Sequence, residues 1–210
     1  MKKGFTIVYP EFDGLYINLT NRCPCACTFC IRKGERTEFS NVDTLWLERE
    51  PTAVEVIDAL VAESKKSEFV SYKEIVFCGY GEPTEKLDVL LEVALFIKRE
   101  LKKSVRLNTN GLGDLLNKKS IAPLLAKKID AVSISLNSSD EEIYLRTVNP
   151  IFGKESHAAL LRFAEDCVKS GIRVILSTVS TTISKADEEE CAKICKKIGA
   201  EYRIREFEPF

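Results

Sequence analysis

The chain has 210 residues, of which 45% are hydrophobic and 30% charged, a composition typical of a globular protein and not of a disordered one. Its 31 basic and 32 acidic residues nearly cancel, so the net charge does not indicate a nucleic-acid partner. No apolar run approaches the ~20 residues that a membrane span needs, and the polar N-terminus lacks a signal-peptide pattern. We therefore expect one domain over residues 1–210, in the cytoplasm and without membrane contact.

Short apolar runs rich in β-branched and aromatic residues alternate with segments of helical periodicity. The pattern predicts strands over residues 15–20, 74–78, 104–109, 131–136, 172–178 and 202–207. It predicts helices over residues 52–66, 85–101, 114–128, 155–170 and 185–198. A helix between successive strands favours right-handed crossovers, so the predicted fold class is α/β, a partial (βα)6 TIM-like barrel with parallel strands. Residues 5–9, which precede the turn PEFDG, predict a short N-terminal hairpin arm beside the first strand.

Polar residues recur at every second position along several predicted strands. These sets are Tyr16, Asn18 and Thr20; Arg106 and Asn108; Ser133, Ser135 and Asn137; and Arg203 and Arg205. If helices cover the opposite face, these side chains line the concave side of the sheet. An unpaired buried polar group costs about 1–3 kcal/mol, so a polar concavity indicates a ligand or water. The alternative is an antiparallel sheet with one solvated face, against which the intervening helices argue.

Four cysteines follow the first predicted strand within NRCPCACTFC, and Cys23, Cys27 and Cys30 have the spacing C-x3-C-x2-C. Thiols stay reduced in the cytosol, so this group indicates a metal or catalysis before disulfides. Three thiolates can hold three corners of a [4Fe–4S] cubane and leave one iron open. The alternative is a zinc site closed by Cys25, although zinc favours paired knuckles. The single His157 excludes metal sites that need two histidines.

A C-x3-C-x2-C loop after the first strand, with the aromatic Phe29 before its last cysteine, resembles the signature of the radical S-adenosylmethionine (SAM) superfamily. Five stretches are similar, in order, to the small TatD-associated radical SAM proteins: NLTNRCPCACTFCIRK, TLWLEREPT, FCGYGEPTEKLDVLLEVA, RLNTNG and VSISLN. The resemblance implies a [4Fe–4S] cluster on Cys23, Cys27 and Cys30, with SAM bound through its amino and carboxylate groups to the open iron. It implies reductive cleavage of SAM to a 5′-deoxyadenosyl radical that abstracts hydrogen from a substrate, which the sequence does not identify.

The same resemblance implies which residues contact SAM. Phe29 would lie against the adenine, with a plain core aromatic as the alternative. Residues Gly79, Tyr80, Gly81 and Glu82 resemble a Gly-Gly-Glu-Pro turn that receives the SAM amino group, with Tyr80 departing from the first glycine. A simple strand-to-helix turn is the alternative there. The other expected contacts are Asn108, Thr109, Asn110, Ser133, Ser135, Asn137 and Arg146. The alternative for the third strand's end is an ordinary Asn-Gly turn, and the alternative for Arg146 is a solvated surface arginine.

The resemblance also implies a one-electron reductant, such as a flavodoxin or a ferredoxin. Because 210 residues leave little chain for a lid, we expect a macromolecular partner, protein or RNA, to complete the closure of the site. Two alternative functions stay open. One is a non-catalytic Fe–S or zinc module, and the other is an activase that generates a radical on a partner protein.

Overall fold

Residues 3–33 and 44–207 are described in a computed structural model of the chain. One sheet runs in the order β1 (Val8–Glu11), β2 (Gly14–Ile17), β3 (Glu74–Phe77), β4 (Ser104–Thr109), β5 (Ala131–Ser135), β6 (Arg173–Val179) and β7 (Glu201–Arg205). β1 pairs antiparallel with β2, and every later pair of neighbours is parallel. The predicted partial barrel with an N-terminal hairpin is confirmed, and the sheet is not closed. The hairpin arm is 8–11 rather than 5–9.

Seven α-helices occur in the described part of the chain: α1 (Ala53–Ser64), α2 (Leu87–Phe96), α3 (Gly113–Asn117), α4 (Ala122–Leu125), α5 (Glu141–Val148), α6 (Glu155–Lys169) and α7 (Lys185–Ile198). None of them is both long and apolar enough to span a bilayer. A 3-10 turn, Pro83–Lys86, leads into α2, and a π-helical turn, Ile97–Leu101, ends it. Side-chain caps fix several helix starts; in α1, Thr52 and Glu55 form the reciprocal capping box that the sequence predicts.

The helices differ from the sequence-based expectation at two places. The single helix expected over 114–128 is two short helices, because Lys118 adopts a left-handed backbone with φ 52° and ends α3. Pro123 then occupies the first turn of α4, where a missing N–H is tolerated. Helix α5 was not predicted, although Asp140 caps it by accepting a hydrogen bond from the Ile143 N–H.

The main core lies between the sheet and the helices, and the strands alternate as predicted. On β4, Val105 and Leu107 are fully buried in this core, while Arg106 and Asn108 are half-buried on the opposite, concave face. Each fully buried large apolar side chain contributes about 1.5–3 kcal/mol, so this layer dominates the stability of the fold.

A smaller apolar cluster fills part of the concave face. It consists of Tyr9, Tyr16, Leu45, Val76 and Tyr80, with Ile31, Trp46 and Cys78 packed against it. The hydroxyl of Tyr9 donates to the carbonyl of Cys78 at 3.2 Å. The concave side near β1–β3 is therefore packed protein, and the polar residues further along the sheet border the remaining space.

Candidate active site

The loop that carries the four cysteines follows β2 and is held by backbone hydrogen bonds to the end of α5 and the residues just after it. The bonds run from the N–H of Ala26 to the carbonyl of Val148 (3.1 Å), from Thr28 to Thr147 (2.8 Å) and from Ile151 to Pro24 (2.9 Å). An isolated antiparallel bridge joins Cys25 to Pro150. The cysteines are each half-buried. The unpredicted helix α5 therefore helps to set the shape of this loop.

The thiols of this loop are not equivalent. Hydrogen bonding with the Cys25 thiol is the main reason that the pKa values of Cys23 and Cys27 lie below the ordinary thiol value. The same bonds, followed by burial, raise the pKa of Cys25. Burial raises the pKa of Cys30. The side-chain amide of Asn110 also donates to the sulfur of Cys23, at 3.8 Å.

Thiolate sulfur is the ligand that iron–sulfur clusters use, so the donor set fits such a group. Within residues 3–33 and 44–207, no three His, Cys, Asp or Glu side chains converge closely enough to hold one metal ion. A zinc ion needs every thiolate at about 2.3 Å from a single atom. A cubane instead offers separate irons to its ligands, which then stand further apart.

The turn that follows β3 packs directly against the end of β2. A Cβ atom on Gly79 would lie 2.2 Å from Oδ1 of Asn18, and one on Gly81 would lie 2.2 Å from the carbonyl oxygen of Thr20. The N–H of Glu82 donates to the carbonyl of Arg22 at 2.7 Å. Close approach of the Thr20 and Arg22 backbone thus requires Gly81, whereas the buried side chain of Asn18 confines Gly79.

Glu82 is hydrogen-bonded within the protein. Its carboxylate is buried, and Oε1 accepts from the N–H and the hydroxyl of Thr84 and from the hydroxyl of Thr109, while Oε2 accepts from the N–H of Asn110. Burial nevertheless raises its pKa. The side chains of Glu82 and Thr109 hydrogen-bond to each other and tie β3 to β4.

Tyr80 and its neighbours form an aromatic corner beside the cysteine loop. The rings of Tyr80 and Trp46 meet edge to face, with centroids 5.1 Å apart. Arg32 lies over the Trp46 ring at 5.1 Å and donates to the carbonyl of Tyr80 at 3.2 Å. The Tyr80 carbonyl is therefore already hydrogen-bonded within the protein. Phe29 is half-buried in the loop itself.

The other predicted residues spread along the carboxyl ends of β4 and β5. Asn108 accepts a 2.6 Å bond from Arg106, whose guanidinium also donates to Glu74 at 2.7 Å. Ser133 and Ser135 are half-buried on the concave face, and Asn137 is buried with no partner for Oδ1 among the described residues. Arg146 is exposed on α5. The structure thus brings Asn110 to the cysteine loop and leaves Arg146 on a solvated helix face.

Sequence reasoning missed Tyr144 on α5. Its side chain is fully buried, and its hydroxyl has no hydrogen-bond partner in the described part of the protein. Burial raises the pKa of this phenol, and the charges of Cys25, Cys27 and Cys23 raise it further. The signal that could have located it is the sequence DEEIYLRTV, where an aspartate cap precedes two acidic residues and an apolar face.

Glu50 is a second residue that sequence reasoning missed. Its Oε1 accepts from the hydroxyl of Thr20 at 2.6 Å and from Nε of Arg22 at 2.7 Å, and its Oε2 lies 3.1 Å from Nζ of Lys86. This carboxylate links the end of β2, the start of the cysteine loop and the turn before α2. No short motif marks it, because its partners are far away in sequence.

The chain matches the family model described as the Radical SAM superfamily over residues 17–198. It belongs to the radical SAM superfamily. Members of this superfamily use a [4Fe–4S] cluster and SAM. The matched region extends from the last residue of β2 to the last residue of α7. It therefore includes the whole cysteine loop and the ends of β3, β4 and β5.

Individual relatives agree with this assignment. The chain is 28% identical over 200 residues to a probable GTP 3′,8-cyclase from Methanocaldococcus jannaschii, which covers 95% of this chain and 60% of that protein. A GTP 3′,8-cyclase from Corynebacterium glutamicum is 29% identical over 93% of this chain and 49% of its own length. The chain thus spans about half to three fifths of these relatives. They are named as cyclases and not as TatD-associated proteins.

Among solved structures, SuiB from Streptococcus suis bound to SAM superposes with a TM-score of 0.69 at 18% identity, covering 93% of this chain and 40% of SuiB. This similarity shows a shared fold, and it agrees with the open parallel sheet of the present chain.

Proposed function

We propose that this radical SAM protein holds a [4Fe–4S] cluster on Cys23, Cys27 and Cys30, binds SAM beside it and abstracts hydrogen from a substrate. The observation that carries the proposal is a C-x3-C-x2-C loop held against the carboxyl ends of β2–β4 in a chain of this superfamily. When bound, the two groups supply one-electron cleavage of a SAM C–S bond and the 5′-deoxyadenosyl radical.

The chain's own residues prepare the ligand thiols. The side-chain amide of Asn110 donates to the sulfur of Cys23 at 3.8 Å, and hydrogen bonding with the Cys25 thiol lowers the pKa values of Cys23 and Cys27. A donor directed at a sulfur favours its thiolate form and spreads the negative charge of that ligand. Cys25 therefore acts in our proposal as a supporting thiol and not as a ligand.

Glu82 and the two glycines hold the surrounding frame. The Glu82 carboxylate fixes the relative position of the β3 turn and the end of β4, and so the position of Asn110 beside Cys23. The packed aromatic cluster around Tyr80 excludes water from one side of the loop. These features favour a rigid, partly dry pocket at the carboxyl edge of the sheet.

SAM contacts are proposed where side chains border the concave space. Ser133 and Ser135 are the best placed, because they are half-buried and have no partner among the described residues. The remaining proposed contacts are Phe29, the backbone of Gly79, Tyr80 and Gly81, and the side chains of Glu82, Asn108, Thr109, Asn110, Asn137 and Arg146.

The test is anaerobic incubation of reconstituted protein with SAM and dithionite, with 5′-deoxyadenosine as the readout. We expect Cys27→Ala to abolish its formation, because a ligand is lost. Cys25→Ala is the matched control in the same loop, and we expect it to lower the rate by less than about tenfold. Equal losses in the two variants would refute the ligand assignment.

The wider biological setting is also a proposal. A flavodoxin or ferredoxin would supply the electron in the cytoplasm, and a macromolecular partner would complete the closure of the site. Membership of the narrower TatD-associated group, and a single domain over residues 1–210, remain hypotheses. An activase would differ from a small-molecule enzyme in the assay above, because it would leave a persistent radical on a partner protein, detectable by electron paramagnetic resonance.

A further inference from the structure

Two arginines on the last strand of the sheet face the concave side. Arg203 and Arg205 are alternate residues of β7, opposite Ser177 and Val179 of β6. Tyr202, the residue before Arg203, packs against the main core beneath the helices. Because side chains alternate along a strand, the two arginines point away from that core.

The Arg205 side chain extends across this face. Its residue is only partly exposed, and its Nε atom is fully buried without a hydrogen-bond partner among the described residues. Burial and the positive charge of Arg203 lower the pKa of Arg205, against which the charges of Cys78 and Cys27 act. The Nε atom of Arg205 is therefore enclosed by protein beside Val179, its register partner on β6.

Neither arginine has an acidic partner in the described part of the chain, whereas several other arginines do. Glu201 shares the face of Arg203 and Arg205, but its carboxylate is bound by Arg173 at 2.7 Å. Glu74 is similarly bound by Arg106. A buried guanidinium without a counter-charge is unfavourable, and a second cation on the same face adds to the cost. This pair is therefore prepared for an anion that comes from outside the chain.

We infer that Arg203 and Arg205 form a binding site for an anionic group of the substrate, a carboxylate or a phosphate. The planar donor fork of arginine matches both groups. The inference rests on the proposed function, in which the open iron would coordinate the carboxylate of SAM. The two arginines would then be available to bind a second anion. An anion held by Arg205 would place the attached substrate carbons beside the cysteine loop.

The experiment uses cluster-reconstituted protein, with binding measured anaerobically by calorimetry. Inorganic pyrophosphate and succinate are the probes, and SAM is titrated separately. We expect saturable binding of one anion to the wild type and a loss of at least about tenfold in affinity in Arg205→Met. SAM affinity and 5′-deoxyadenosine formation should stay within about twofold. Arg162→Met, at an exposed arginine on α6, is the matched control and should bind as the wild type does.

Three results would overturn the inference: no saturable anion binding to the wild type, unchanged binding in Arg205→Met, or a SAM affinity that falls as much as the anion affinity. The last would assign the arginine to the SAM carboxylate. If Arg205→Met does not fold, Arg203→Met carries the test, because that side chain is exposed. We expect at least about threefold weaker anion binding in that variant. Failure of the wild type to cleave SAM would instead refute the proposed function and leave the anion measurement interpretable.

Discussion

Gly81 and Glu82 support the site through contacts with neighbouring protein groups. Gly81 leaves room for the carbonyl of Thr20, and the Glu82 carboxylate binds donors on two strands. Both residues belong to a stretch that sequence comparison associates with the cofactor. At the scale of single residues, a motif can therefore mark a tight packing requirement as well as a ligand contact.

We expect Gly81→Ala to destabilise the protein by about 3 kcal/mol, because the new methyl group would meet backbone that cannot rotate away. Gly14→Ala is the matched control, because a Cβ atom added there would come no closer than 3.2 Å to its nearest neighbour, the carbonyl oxygen of Glu74. That variant should change stability by less than about 1 kcal/mol. Urea denaturation of both variants checks the difference, and equal stabilities would contradict it.

Sequence reasoning located the cysteine loop and the strand ends, because local spacing and turn residues mark them. It did not reveal that Glu82 and Thr109 bind each other, since the two are 27 residues apart and only the sheet register brings them together. Tyr144 was missed for a similar reason. Its closeness to the cysteines depends on where α5 packs, and no local pattern encodes that position.

Three separate elements meet at Glu50, which accepts from Thr20, Arg22 and Lys86. Partial burial acts to raise the pKa of Glu50, but hydrogen bonds from these three residues outweigh it and hold the pKa at about 2. A depressed carboxyl pKa stabilises the fold above the unfolded value of 4.5, and that contribution disappears as the pH falls toward the folded value.

We therefore expect Glu50→Gln to lower the free energy of unfolding by about 1 kcal/mol at pH 7, a figure reduced for solvent screening. The difference from the wild type should shrink between pH 4.5 and about 2. Urea denaturation over a pH series measures it. Glu68→Gln, at an exposed carboxylate with no ion pair among the described residues, is the control and should show a smaller difference. A Glu50 effect that does not change with pH would contradict the assignment.

Element boundaries were predicted best where the apolar pattern is strong. The strand over 104–109 was predicted without error, because alternating burial is complete there. The helix over 114–128 failed because a left-handed Lys118 and Pro123 break an otherwise helical pattern. Helix α5 was not predicted from the sequence, because only two of its residues, Tyr144 and Val148, are buried and its apolar face is therefore short.

The sheet is open, and its edge strand β7 is less buried than the interior strand β5. β7 pairs only with β6 in the described structure, and three of its five residues are exposed, whereas β5 is covered on both sides by paired neighbours. Local opening needs less free energy where fewer buried contacts are lost. The edge that carries the two unpaired arginines is thus also the most readily opened part of the sheet.

Hydrogen exchange should report this asymmetry. Among amides bonded within the sheet, we expect those of β7 to exchange at least about tenfold faster than those of β5 under native conditions. Peptide-resolved mass spectrometry measures both in one sample, so the fully paired β5 serves as the internal control. Equal protection of the two strands would show that the sheet opens as one unit.

The bonds between residues 24–28 and 147–151 also bear on how the protein matures. A ribosome adds more than a hundred residues after Cys30 before it makes the segment that braces the cysteines. At a translation rate of ~5–20 residues per second, roughly 6–25 s pass between the synthesis of Cys30 and the synthesis of that segment. A chain that stalls before Thr147 therefore presents its cysteines in a loop that lacks these hydrogen bonds.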